Sequence, residues 1–196
     1  MFLIFDTETT GLPRDWNAPL TDANNWPRCV QIAWQLHDKD GNCISHEDYL
    51  VTPDGYTIPY DSEKIHGIST ALAEKEGIPL AEVLEKFRLI LNQCEFVGGH
   101  NVKFDLNIMG AEFLRLGDHN PLDNFPVIDT CTEQTASLCK LAGGRGGKFK
   151  LPTLGDFMFI FSMIILRRPT MPQLMWRQLR VVFLSFFGRV QCSLMF

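Results

Sequence analysis

The stretch FDTETTG, residues 5–11, ends an apolar run, MFLIF, with two carboxylates, Asp6 and Glu8, separated by a single Thr. The apolar run reads as a strand over residues 1–8, buried on both faces. Side chains two apart in a strand share a face, with their Cα atoms about 6.5 Å apart. Asp6 and Glu8 therefore project together and repel unless something binds them. Close carboxylates with no local Lys or Arg offer the oxygen donors that hard divalent cations prefer. An isolated D-x-E pair also fits a solvated strand end satisfied by water or nearby N–H groups. Thr9, Thr10 and Gly11 add hydroxyls and a flexible turn, suited to a chain-end ligand that approaches the backbone.

Outward from this stretch the pattern is that of a mixed α/β sheet. Residues 12–28 form a polar loop rich in Pro, Asn, Asp and Trp. Its Trp16 and Trp26 have two readings, stacking on a nucleobase or simple pinning of the loop by indole burial. VQIAWQLH (30–37) and NCISHEDYLVTP (42–53) flank the turn signal DKDG and read as a hairpin. PLAEVLEKFRLILNQ (79–93) carries Leu80, Val83, Leu84, Phe87, Ile90 and Leu91 at helical spacing. FVGGHN (96–101) reads as a short buried strand, with Asn101 placed to cap a helix over 102–116. VIDT (127–130) is expected to open a further helix reaching about Leu141. GGRGGKFK (143–150) reads as a flexible basic loop, and LPTLGD (151–156) as the entry to one more helix.

The chain of 196 residues, 45% apolar, is long enough for one domain with a core. A formal charge of −5 argues against bulk electrostatic wrapping of nucleic acid and leaves a local basic groove open. Six cysteines without a C-x-x-C pair predict a reduced, intracellular chain rather than a disulfide framework or zinc site. The N-terminus has no basic n-region and too short an apolar run for a signal peptide, so a cytoplasmic location is expected. FMFIFSMIIL is well short of the roughly 20 residues that cross a bilayer, so no membrane partner is expected.

FDTETTG resembles the first motif of the DEDD superfamily of 3′–5′ exonucleases, in the branch of the epsilon proofreading subunits of bacterial replicative polymerases. KIHGIS (64–69), GHNVKFDLNIM (99–109) and VIDT (127–130) resemble further segments of that family, in order and at plausible distances over residues 1–156. The resemblance implies a ribonuclease-H-like exonuclease fold: three N-terminal strands with an antiparallel hairpin, then a parallel strand, flanked by helices. It implies that Asp6, Glu8 and Asp105 are catalytic ligands of two Mg²⁺ or Mn²⁺ ions. It also implies that Thr9, Thr10, His66 and Asn101 contact the terminal nucleotide. The implied reaction is two-metal hydrolysis at a single-stranded or frayed DNA 3′ end, releasing nucleoside 5′-monophosphates, with a replicative polymerase subunit as a further partner. An RNA-directed exonuclease of the same superfamily fits as well.

The family's third motif, His-x-x-x-x-Asp on a late helix, supplies a general base and one more metal ligand. This chain has no histidine after His119 and no acidic residue after Asp156. All 23 acidic residues precede position 157, whereas residues 157–196 hold five arginines, five of the seven Met and seven of the fifteen Phe. Read one base out of phase, Met171–Pro172 can encode only Ala, and Met175–Trp176 only Val. With suitable codons the Pro169/Thr170 junction opens H-N-A-T-A-D-V, the missing motif at its proper spacing. Residues 157–196 are thus expected to be an aberrant, out-of-frame tail that does not form the native closing helices. The exonuclease domain, residues 1–156, is then incomplete and its activity impaired or lost. A catalytically inactive nucleic-acid-binding or polymerase-associated module is the alternative.

Overall fold

The computed structural model describes residues 1–167, with side chains through residue 160. Strand β1 (Phe2–Thr9) occupies the centre of a five-stranded sheet ordered β3-β2-β1-β4-β5. β2 (Cys29–His37) and β3 (Cys43–Leu50) form the expected antiparallel hairpin on one side of it. β4 (Phe96–Gly99) and β5 (Val127–Asp129) lie parallel on the other.

The alternation of β1 sends its side chains to two different environments. Leu3 and Phe5, opposite Leu36 and Trp34 of β2, enter the main core. There they meet α3 (Leu80–Leu91), through Val83, Leu84 and Phe87, and α4 (Lys103–Arg115), through Ile108, Met109 and Phe113. The helical spacing of the apolar residues in α3 is what the sequence predicts; five of the six are buried, and Leu80 at its start is half-buried. On the reverse face Phe2 stacks between His37 and Phe96, with centroids 5.3 and 5.0 Å away. Phe2 and Ile4 there pack with Leu154 and Met158 of α6 (Leu154–Arg167). Asp6 and Glu8 continue that same face by alternation.

Three expectations change. Val127–Asp129 is a strand rather than a helix start, because β4 leaves a parallel edge open and β-branched Val and Ile suit it. The helix that follows, α5, begins only at Glu133 and ends at Cys139, with the Thr132 hydroxyl accepting from the Thr135 N–H. Asn101 does not cap α4; it takes a left-handed φ of 61°, and Val102 is the residue at the helix boundary. Two short helices, α1 (Tyr60–His66) and α2 (Thr70–Glu76), arise where no element was expected. The helix expected to begin within LPTLGD is α6, with Phe157 buried beside Cys139. The expected third-motif region, residues 168–196, lies outside the described residues.

One fully buried carboxylate ties the polar loop to the sheet. Oε1 of Glu112, on α4, accepts from the Cys29 N–H at 2.8 Å, from Arg28 Nε at 3.1 Å, and sits 3.0 Å from an Arg115 nitrogen. Arg115 in turn donates to the carbonyls of Ala23, Trp26 and Pro27. Trp26 is 3% exposed and its indole N–H donates to the Pro19 carbonyl, so this tryptophan pins the loop. Removing one partner of such a buried cluster leaves the others uncompensated. Glu112→Ala is expected to lower the unfolding free energy by about 3–5 kcal/mol in urea titration, and Glu112→Gln by less. A loss under about 0.5 kcal/mol for Glu112→Ala, the scale of an ordinary surface change, would show that the carboxylate does not hold the loop.

Candidate functional site

Two carboxylates from distant parts of the chain meet at the C-terminal half of β1. Asp105 stands in the first turn of α4, 4% exposed. Its Oδ1 accepts from the Thr7 N–H at 2.8 Å and from the Thr7 hydroxyl at 2.7 Å. The Thr7 amide follows directly on Asp6, so Asp105 is fixed one peptide from the Asp6 carboxylate. Gly99 permits the approach: a Cβ there would lie 2.9 Å from a Val102 methyl and 3.2 Å from the Phe5 carbonyl oxygen.

The pair is electrostatically loaded. Burial, and next the negative charge of Asp6, push Asp105 up to about 7, against the opposing pull of the two Thr7 bonds. Glu8 shares the face of Asp6 and is half-buried. Among the described residues no three His, Cys, Asp or Glu side chains converge as a ready metal cluster. Three negative groups at contact distance would repel with no cation between them. The donor set is nevertheless all carboxylate, and a cation would relieve the charge that raises Asp105. These residues fit a hard divalent ion.

Thr9 and Thr10 shape the loop that leaves β1. The buried Thr9 hydroxyl donates to the Gly11 carbonyl at 2.7 Å. Thr10 exchanges two bonds with Arg28, its N–H donating to the Arg28 carbonyl and its hydroxyl accepting from the Arg28 N–H, both at 3.0 Å. His66, the last residue of α1, reaches this same corner. Its Nδ1 accepts from the Ile68 N–H at 3.1 Å. Its Nε2 is buried toward the Thr9 backbone without a hydrogen bond of good geometry among the described residues. Burial lowers the His66 pKa, partly countered by the Thr9 backbone and Glu63. Asn101 is exposed at the rim, its N–H donating to Asp129 Oδ1 at 2.9 Å.

Three contributors were not singled out from the sequence. Thr7, between the two motif acids, is the residue that holds Asp105. Asp129 of β5 accepts from the N–H groups of both Asn101 and Cys131. His100 bridges β4 to the approach of α6, with Nδ1 2.9 Å from the Thr130 hydroxyl and Nε2 3.1 Å from the Pro152 carbonyl. Burial lowers its pKa, while the Pro152 carbonyl, Asp129 and Asp6 oppose that shift. Asp129 lay within VIDT and His100 within GHN; only their spatial partners reveal what they do.

A family model described as Exonuclease (RNase T) matches residues 3–150. A DNA polymerase III PolC-type of Streptococcus agalactiae serotype III is 34% identical over 132 residues, 66% of this chain and 8% of that protein. A DNA polymerase III subunit epsilon-like protein of Rhodobacter capsulatus is 34% identical over 131 residues, 66% of this chain and 16% of that protein. The chain thus spans a small part of the curated relatives it matches. Among solved structures, E. coli exonuclease I in complex with a 5cy-dA13 oligonucleotide matches with a TM-score of 0.62 and 18% identity, covering 88% of this chain and 41% of that one. The zinc ion bound form of an E. coli exonuclease I–ssDNA complex matches with a TM-score of 0.61 and 19% identity, covering 88% and 41%. By a family match that takes in both Asp6 and Asp105, this chain belongs to the exonuclease (RNase T) family.

Proposed function

We propose that residues 1–156 are a divalent-metal-dependent 3′–5′ exonuclease domain acting on a DNA end, of the proofreading or repair type. The observation that supports this most is the Asp6–Asp105 pair, held together by Thr7 and desolvated so that Asp105 rises to about 7. Asp6, Asp105 and Glu8 would hold Mg²⁺ or Mn²⁺. When bound, such ions lower the pKa of water and stabilise the attacking and leaving oxygens of a phosphodiester. The chain's own contribution is positioning: Thr7 fixes one Asp105 oxygen, and Thr10 with Arg28 holds the loop where Thr9 and His66 would meet the terminal nucleotide. The single-stranded DNA in the exonuclease I complexes and the polymerase names of the relatives support a DNA strand as substrate and a polymerase as partner.

The absent His-x-x-x-x-Asp motif favours a second reading, a binding module without catalysis. α6 packs over the face of β1 that carries Asp6 and Glu8, and the missing motif belongs in the segment that follows it. The general base of that motif is typically worth about 10²–10⁴-fold in rate. The present chain is therefore expected to release little mononucleotide from a labelled single-stranded oligonucleotide in Mg²⁺. A version reading H-N-A-T-A-D-V from the Pro169/Thr170 junction, with the helix after it, is expected to release it from the 3′ end, and Asp6→Ala to abolish that release. Equal activity from both chains would show that the tail is not the defect; release from neither would leave the binding module. An RNA oligonucleotide in parallel reads the nucleic-acid preference.

The raised Asp105 gives a second test that needs no turnover. An unfolded aspartate titrates near 3.9, so between about pH 4 and 7 the unfolded chain ionises while the folded one holds its proton. The cation-free fold loses stability as pH climbs through that window, and the loss is absent below about pH 4. Asp105→Asn keeps an oxygen for the Thr7 donors. At pH 8 without metal it should be more stable than wild type by on the order of 2–4 kcal/mol, the gap closing near pH 4. Mn²⁺ should raise the wild-type Tm at pH 8 and leave Asp105→Asn nearly unmoved. Identical melting of both proteins with and without Mn²⁺ would remove Asp105 from the metal site.

A further inference from the structure

Trp16 sits in the loop between β1 and β2, and 51% of it is exposed. A large indole contributes to stability mainly through burial, so an exposed one on a mobile loop would need no explanation. This loop is not loosely held. The residues on either side of Trp16 are bonded: the Asp15 N–H donates to Asn25 Oδ1 at 2.7 Å, and the Asn17 N–H to Asp15 Oδ1 at 2.9 Å. The Asn25 side chain, itself buried, returns a bond to the Asp15 carbonyl at 2.9 Å. Farther along, Arg115 grips the carbonyls of Ala23, Trp26 and Pro27. Leu20 is pressed so close to α4 that a Cβ at Gly110 would lie 2.9 Å from its methyl. The fold thus spends a buried Asn, a buried Glu–Arg cluster and a helix glycine on a loop that leaves its indole half in solvent.

The indole also faces a defined place. Its ring packs against Phe104, centroids 5.8 Å apart and planes at 51°. Phe104 immediately precedes Asp105 in the first turn of α4. Leu12, 72% exposed, and the exposed Arg14 stand on the same stretch of loop. An aromatic face with a cation close by in sequence, beside a phosphodiester-directed carboxylate pair, matches how unpaired strands are held: bases stack while cations meet the backbone.

We propose that Trp16 is a stacking platform for an unpaired base of the strand whose end enters the Asp6–Asp105 site. The proposal rests on the nuclease reading above and adds the residue that grips the strand through its bases. Phe104 supports the indole from the side of α4, so base capture and the position of Asp105 share one helical turn.

The test is anisotropy of a 5′-labelled oligothymidylate, and of an abasic strand of equal length, titrated with wild type, Trp16→Ala and Trp16→Phe in EDTA. Base–aromatic stacking predicts that Trp16→Ala weakens oligothymidylate binding about five- to a hundredfold. Trp16→Phe, which keeps an aromatic face, should stay within about threefold of wild type. The abasic strand should bind weakly and with the same affinity to all three proteins. Unchanged binding of oligothymidylate by Trp16→Ala, with wild type binding normally, overturns the stacking role alone. An equal loss on both strands for Trp16→Ala also overturns it, because the indole would then merely support the loop. Wild type that binds neither strand removes the nuclease reading together with the platform.

Discussion

Two hydrogen bonds from Thr7 to a single oxygen of Asp105 hold the rest of the site in register. They require that β4 run parallel to β1, with Phe2, Leu3 and Ile4 opposite Phe96, Val97 and Gly98. That register ends β4 level with the middle of β1. α4 therefore begins where the carboxylates lie, and its first turn delivers Asp105. Gly99, which closes β4, follows from the same demand, since a side chain there would press on the Phe5 carbonyl and on Val102. The charge conflict between Asp6 and Asp105 is built into this geometry, and the main-chain and hydroxyl donors of Thr7 make it tolerable.

The second constraint lies at the opposite end of α4. Glu112 and Arg115 use one turn of the same helix to fasten the loop between β1 and β2. One helix thus supplies a carboxylate of the candidate site at its start and an anchor near its end. That loop is continuous with Thr10 and Arg28, and the backbone of Arg28 completes the turn that follows the carboxylates.

Most of this framework was legible in the sequence because its signals are local. The apolar run before Asp6, the DKDG turn and the helical stripe of 79–93 each name their element without reference to the rest of the chain. Asp105 was legible through its motif, and Thr7 was not, because its role depends on a partner almost a hundred positions away. Val127–Asp129 was misread for a similar reason. Three residues carry no usable periodicity, and the vacant edge of β4 that makes them a strand exists only in the folded sheet. The helices Tyr60–His66 and Thr70–Glu76 escaped because each is too short for a stripe. Asn101 has a good capping side chain, but its backbone turns left-handed to let its N–H reach Asp129.

The separation of Thr7 from Asp105, 98 positions, also bears on how the chain comes to be folded. Hairpin β2–β3 closes over a turn of a few residues, and α3 is a local element, so both are available early. The β1–β4 pairing must close a loop of more than ninety residues, and such long-range strand pairing is intrinsically slow. During synthesis Phe2–Thr9 is made well before β4, and it waits for residues 96–105 before its parallel partner and Asp105 exist. Until then β1 has a neighbour only on the hairpin side, and its other edge, apolar through Phe5, is open to wrong partners. The site is accordingly among the last features to form, and the strand that carries its first carboxylate is the one most in need of protection during synthesis.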